Sequence, residues 1–169
     1  MKNNKAKKIA LFGMMVALAF TFSYFESLIP LDFVAPGVKL GLANLVVVIA
    51  LYLMKPGEAF AIAIIRIFLA GLTFGNVYSI AYSLCGGIFS FLVMYLVRKT
   101  KLSIIGVSML GGICHNIGQI IVAAIVMETS RIAYYLPVLL VAGLITGLLL
   151  GVISKLVIER FEKVKRNKT

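Results

Sequence analysis

Apolar residues run along the chain in six long stretches separated by short polar punctuation, and this pattern predicts six helices. The first stretch covers about Ile9 to Ile29, followed by a linker that carries Glu26, Pro30, Asp32 and Pro36. The second runs from about Val38 to Met54, and Lys55-Pro56-Gly57-Glu58 turns the chain into the third, about Ala59 to Phe74. Gly75-Asn76 opens the fourth, which ends at Leu96 or Val97 before the basic cluster Arg98, Lys99 and Lys101. The fifth covers about Leu102 to Met127, a polar patch from Glu128 to Arg131 turns the chain, and the sixth covers about Ile132 to Ile158 before a basic tail, Arg160 to Lys168.

Composition changes the reading of these helices from soluble to membrane-embedded. Of the 169 residues 62% are hydrophobic and the mean hydropathy is +1.06, which leaves too few polar groups to cover a water-soluble domain. A spanning helix needs about 20 apolar residues, so the expectation is an all-α integral membrane protein, one transmembrane domain over residues 1–169. The first stretch resembles a secretory signal at its start but is long enough to span, so it is expected to remain uncleaved.

The net charge of +11 would suggest nucleic acid in a soluble chain. Here the lysines and arginines sit at both ends and in short loops, the positive-inside pattern of a membrane protein. Six spans with both termini cytoplasmic (residues 1–8 and the tail 159–169) satisfy that bias, with Lys39 and Arg131 outside, and place the chain in a cell membrane as a multi-pass protein. The second and third stretches are short, and their glycine and proline neighbours suit tilted or broken helices that line a cavity.

Polar residues inside the apolar stretches carry the candidate chemistry. Arg66, in AIAIIRIFLAG, is costly in a bilayer and is kept where it faces a ligand, a cavity or an acidic partner such as Glu26 or Asp32. His115, Asn116 and Gln119 form a second group, with His115 and Gln119 four apart on one helical face; they serve a ligand or interhelical hydrogen bonds. In PGVKLGLANL, Gly37 and Gly41 allow tight backbone entry, Lys39 offers a cation and Asn44 sits a turn deeper, which describes an anion-attracting rim or a snorkelling lysine. Counted by depth, Glu26, Asp32, Lys39, Asn44 and Asn76 are expected near the outer face, Arg66 near mid-span, and His115 and Gln119 near the middle, so Lys39, Asn44, Arg66, Asn76, His115 and Gln119 are candidates to line one outward-opening pocket. On the first helix Ala6, Ala10, Gly13 and Ala17 recur at four, three and four, a flat face for helix packing inside the protein or against a partner.

The chain lacks a GxxxxGK[ST] loop, a paired-aspartate magnesium site and a metal-ligand cluster; Asp32 is its single aspartate, and Cys85 and Cys114 stand in apolar runs. Catalysis, a cofactor and a metal are not expected.

At PGVKLGLANL, AIIRIFLAG and HNIGQ the sequence resembles the small bacterial membrane family labelled Gx transporter or heptaprenyl diphosphate synthase component I, over about Ile9 to Ile158. Its size and layout are also similar to the substrate-binding S components of energy-coupling factor (ECF) transporters. That resemblance implies a six-helix protein that captures a vitamin-like, anionic or amphipathic nutrient from outside and works with a coupling (T) subunit and ATPase subunits. It also implies docking through an Ala-x-x-x-Ala motif on the first helix, whose matching candidates are Ala6, Ala10, Gly13 and Ala17, with Gly13 standing where the strict motif has alanine. The first label implies a different role, a non-catalytic membrane subunit associated with a polyprenyl diphosphate synthase.

Overall fold

The computed structural model describes residues 2–28, 41–126, 128 and 130–167. Six helices follow in order: α1 (Lys2–Ser27), α2 (Leu42–Leu53), α3 (Pro56–Phe74), α4 (Val77–Val97), α5 (Ile104–Val126) and α6 (Leu136–Arg166), with a 3-10 turn over Ser130–Tyr135. No strand occurs among the described residues. Five helices, all but α2, are long and apolar enough to cross a membrane. Their exposed Leu, Ile, Val and Phe side chains, such as Leu72, Ile125, Leu149 and Leu156, are what a lipid-facing surface requires.

Local chemistry explains several helix boundaries. Pro56 opens α3 at a position whose missing N–H costs nothing, and the Glu58 carboxylate accepts the Lys55 N–H at 3.0 Å, so this helix starts a turn before the expected Ala59. Asn76 caps α4 by accepting the Ser79 N–H at 2.8 Å. At the opposite end of α4 the Arg98 guanidinium donates to the Leu51 carbonyl in the last turn of α2 and lies 5.3 Å from the Tyr95 ring centre.

Two expectations need correction. The basic ends do not form separate tails: α1 begins at Lys2 and α6 runs through Arg166, because lysine, arginine and glutamate are good helix formers and extending a helix is far easier than starting one. The second helix is shorter than the apolar run that encodes it, with 12 residues from Leu42 to Leu53. At 1.5 Å per residue it covers about 18 Å, short of the roughly 30 Å hydrocarbon core. Gly41 stands at its start with φ 72°, a left-handed conformation open to glycine and strained for other residues.

The helices close a ring in which α1 packs on α3, α3 on α4, α4 on α5, α5 on α6, α6 on α2 and α2 on α1, while α2 and α3 also touch. Helix α2 is the most enclosed of the six: Ala43 and the whole run from Leu45 to Leu51 are buried. These residues form the main apolar core with Met15, Ala59, Ile62, Phe91, Met94, Val107 and Leu150. Lipid tails are as apolar as these side chains, so the ring is held by dispersion and close approach more than by exclusion from water.

Glycine provides that close approach on one side of the ring. A Cβ on Gly112 of α5 would stand 2.3 Å from the Gly143 carbonyl oxygen of α6, and one on Gly118 would stand 2.8 Å from the Gly86 Cα of α4. Gly143, Gly147 and Gly151 recur every four residues on α6 and all face α5 backbone or side chains.

Candidate functional site

Buried polar groups gather in two clusters that meet at Asn44. The first lies where α1, α2 and α3 come together. Arg66 of α3 is 7% exposed, and its Nη2 donates to Asn44 Oδ1 at 3.0 Å. Glu26, near the end of α1, accepts the Gly41 N–H through Oε1 and is the carboxylate whose charge acts on Arg66. A guanidinium in a low-dielectric bundle keeps its charge; among the described residues its Nη2 meets an amide oxygen and its Nε makes no hydrogen bond. Gly41 thus combines a left-handed φ, which favours glycine, with a backbone N–H that reaches a carboxylate on another helix.

The second cluster lies between α2, α4, α5 and α6. It surrounds a cavity of about 20 Å³ whose polar wall is Asn44, Ser90, His115, Asn116 and Thr146, with Gly41, Met94, Gly111, Gly112, Gly147 and Leu150 completing it. That volume suits one water-sized group. The three polar residues expected on α5 are all buried, His115, Asn116 and Gln119 at 5 to 6% exposure. Asn116 Nδ2 donates to the Leu139 carbonyl of α6 at 2.5 Å. Thr146 donates to the Ala142 carbonyl at 2.9 Å within its own helix. Ser90, on α4, is 2% exposed, and its Oγ makes no hydrogen bond among the described residues.

Of the residues singled out in the sequence, Gly41, Asn44, His115 and Asn116 line the cavity; Arg66 and Gln119 do not. Arg66 reaches it through Asn44 alone. Gln119 is a turn beyond His115 on the same face and packs against α4, where a Cβ on Gly86 would meet its Cγ at 3.0 Å. Asn76 is exposed and serves as a helix cap, away from both clusters. Lys39 and Asp32 lie outside the described residues. Asn44 lies in the first turn of α2, within reach of the Arg66 side chain on α3.

Ser90 and Thr146 were not foreseen as site groups. The signal for Thr146 was present, since a threonine between Gly143 and Gly147 marks a spot where two helices approach closely and leave a hydroxyl at the seam. Ser90 stands in GIFSFL with no comparable mark.

The row Ala6, Ala10, Gly13 and Ala17 is exposed along its whole length. The face of α1 that packs on the bundle is the opposite one, Met15, Ala19, Ser23 and Glu26, and no atom of another residue lies within 4 Å of a Cβ built on Gly13. Internal packing therefore does not account for the row.

Groups of three or more His, Cys, Asp or Glu able to hold a metal ion are absent among the described residues. What the second cluster offers chemically is a small set of hydrogen-bonding groups in an apolar wall, an arrangement that binds and orients. No curated protein and no solved structure matches the chain. A family model described as heptaprenyl diphosphate synthase component I matches residues 15–157 of the 169, a region that includes both polar clusters and all six helices in whole or in large part, and the chain belongs to that family.

Proposed function

We propose that this protein is the substrate-binding membrane subunit of an ECF-type importer, non-catalytic itself, with six membrane-inserted helices, both termini in the cytoplasm and a cell-membrane location. The observation that carries the reading is the cavity between α2, α4, α5 and α6: Asn44, Ser90, His115, Asn116 and Thr146 converge there from four helices, and polar groups are kept inside a membrane bundle where they meet a ligand or a pathway. The small cavity suits the polar head of an amphipathic nutrient, whose apolar body would require the helices to separate above it. The exposed row on α1 supports the second half of the proposal, since a flat face with none of the described residues packed against it suits a helix of a coupling subunit.

A second reading rests on the family description, in which a component I has a companion: the protein serves as the membrane subunit of a prenyl diphosphate synthase, and the α1 row is where that enzyme docks. One preparation separates the two. Tagged protein purified from its native membrane in mild detergent co-purifies with a coupling subunit and ATPases under the first reading, and with a soluble aspartate-rich synthase under the second. Recovery of the synthase without ATPases would reject the importer. Cysteine labelling in intact cells tests the topology: Arg131→Cys reacts from outside and Lys99→Cys does not, and the reverse would overturn it.

A further inference from the structure

The cavity wall specifies more than polarity, because the hydrogen bonds its groups already make determine what each has left to offer. We infer that the cavity takes an uncharged group that both donates and accepts hydrogen bonds, a hydroxyl or a water oxygen, in preference to a carboxylate or a phosphate. The inference deepens the substrate-binding reading and rests on it only for a hydroxyl that belongs to a ligand.

Asn44 accepts the Arg66 guanidinium with Oδ1, which leaves its Nδ2 hydrogens as donors. Asn116 spends one Nδ2 hydrogen on the Leu139 carbonyl, which leaves Oδ1 as an acceptor and the second hydrogen as a donor. The Thr146 hydrogen goes to the Ala142 carbonyl, which leaves the oxygen lone pairs. Ser90 Oγ, 2% exposed and without a hydrogen-bond partner among the described residues, can do either. The wall therefore holds donors and acceptors together.

An anion supplies acceptors alone and would face the oxygens of Asn116 and Thr146 without a hydrogen to give them. Among the described residues no Asp, Glu, Lys or Arg lines the cavity to repay the desolvation of a charge, and His115 is its one titratable lining group. Arg66, the nearest described cation by connectivity, is already engaged with Asn44 and acted on by Glu26. A hydroxyl or a water satisfies Ser90 and both acceptors, and the volume of about 20 Å³ fits one such group.

The test melts the protein in detergent with 1-octanol and, separately, with octanoate at equal concentration, for the wild type, Ser90→Ala and Thr146→Val. A high-resolution structure of the wild type is then inspected for solvent in the cavity. Octanol should raise the melting temperature of the wild type and octanoate should not. Either variant should need about tenfold more octanol for the same shift, the effect of one lost hydrogen bond. If one variant does not fold, the other carries the comparison. No octanol effect together with an ordered water bonded to Ser90 supports the same chemistry with water as the source; the cavity then fails as a substrate site while the inference stands. Three results overturn the inference: a stronger effect of octanoate, an octanol effect that both variants retain in full, or an empty cavity in a protein that octanol does not stabilise.

Discussion

Around α1, α2 and α3 the buried polar groups include a carboxylate and a guanidinium, each joined to α2 through the Gly41 N–H or the Asn44 amide, whereas between α4, α5 and α6 a serine, a histidine, an asparagine and a threonine surround a cavity. Both regions keep polarity away from lipid, but they do so by different means. Glu26, Gly41, Asn44 and Arg66 tie three helices with a carboxylate, a backbone N–H, an amide and a guanidinium. Across the ring, glycines bring backbones together and leave serine, threonine and asparagine with capacity to spare. Helix α2 belongs to both, with Asn44 facing Arg66 through one atom and the cavity as a lining residue. Arg66, the residue most costly to place in a bilayer, does not line the cavity itself but donates to Asn44, which does.

Breaking the charged side should cost most. Arg66→Ala leaves Glu26 buried beside a neutral side chain and should lower stability by about 3 to 5 kcal/mol in a denaturation titration in mixed micelles, with Arg66→Lys recovering part of it. In a double-mutant cycle Glu26→Gln with Arg66→Met should cost less than the sum of the single changes, since each removes the charge that the other lacks. Additive costs would mean that the two residues do not compensate each other.

The neutral side should break by crowding. Gly112→Ala puts a methyl group against the Gly143 carbonyl and should cost about 1 to 3 kcal/mol, because backbone on α6 must move to admit it. Asn116→Leu removes the hydrogen bond to the Leu139 carbonyl and should cost about 1 to 2 kcal/mol in the same titration. Gly13→Leu, on the open face of α1, should change stability by less than about 0.5 kcal/mol. The same variant should abolish co-purification with the partner subunit; a Gly13→Leu protein that keeps its partner would remove the α1 row from the docking surface.

Much of this arrangement was legible in the sequence. Hydropathy marked six helices, and Arg66, Asn44 and His115 stood out as polar residues in apolar runs. Their pairing was not legible, because it depends on where α2 begins. Gly41 in its left-handed conformation stands at that point, after the KL of the KLGLAN block, and puts Asn44 in the first turn of α2, where its amide oxygen meets the Arg66 guanidinium. Asn76 carried the same apparent promise as Asn44, yet a polar residue at a helix start is equally suited to capping, which is what it does. The basic ends were read as tails from their charge, although their lysines, arginines and glutamates favour helix once a neighbouring apolar helix has nucleated it. Ser90 was hidden because its importance comes from what it lacks, a partner, and that is a property of the packed bundle.

The most direct test of the account is native mass spectrometry of protein released from its own membrane, comparing the wild type with Ser90→Val and Gly13→Leu. The account predicts a retained small molecule on the wild type and on Gly13→Leu, and its loss from a folded Ser90→Val protein whose cavity is filled by a methyl group in place of a hydroxyl. Retention of the same mass by Ser90→Val, or a wild type that carries no ligand, would contradict the assignment of the cavity as the binding site.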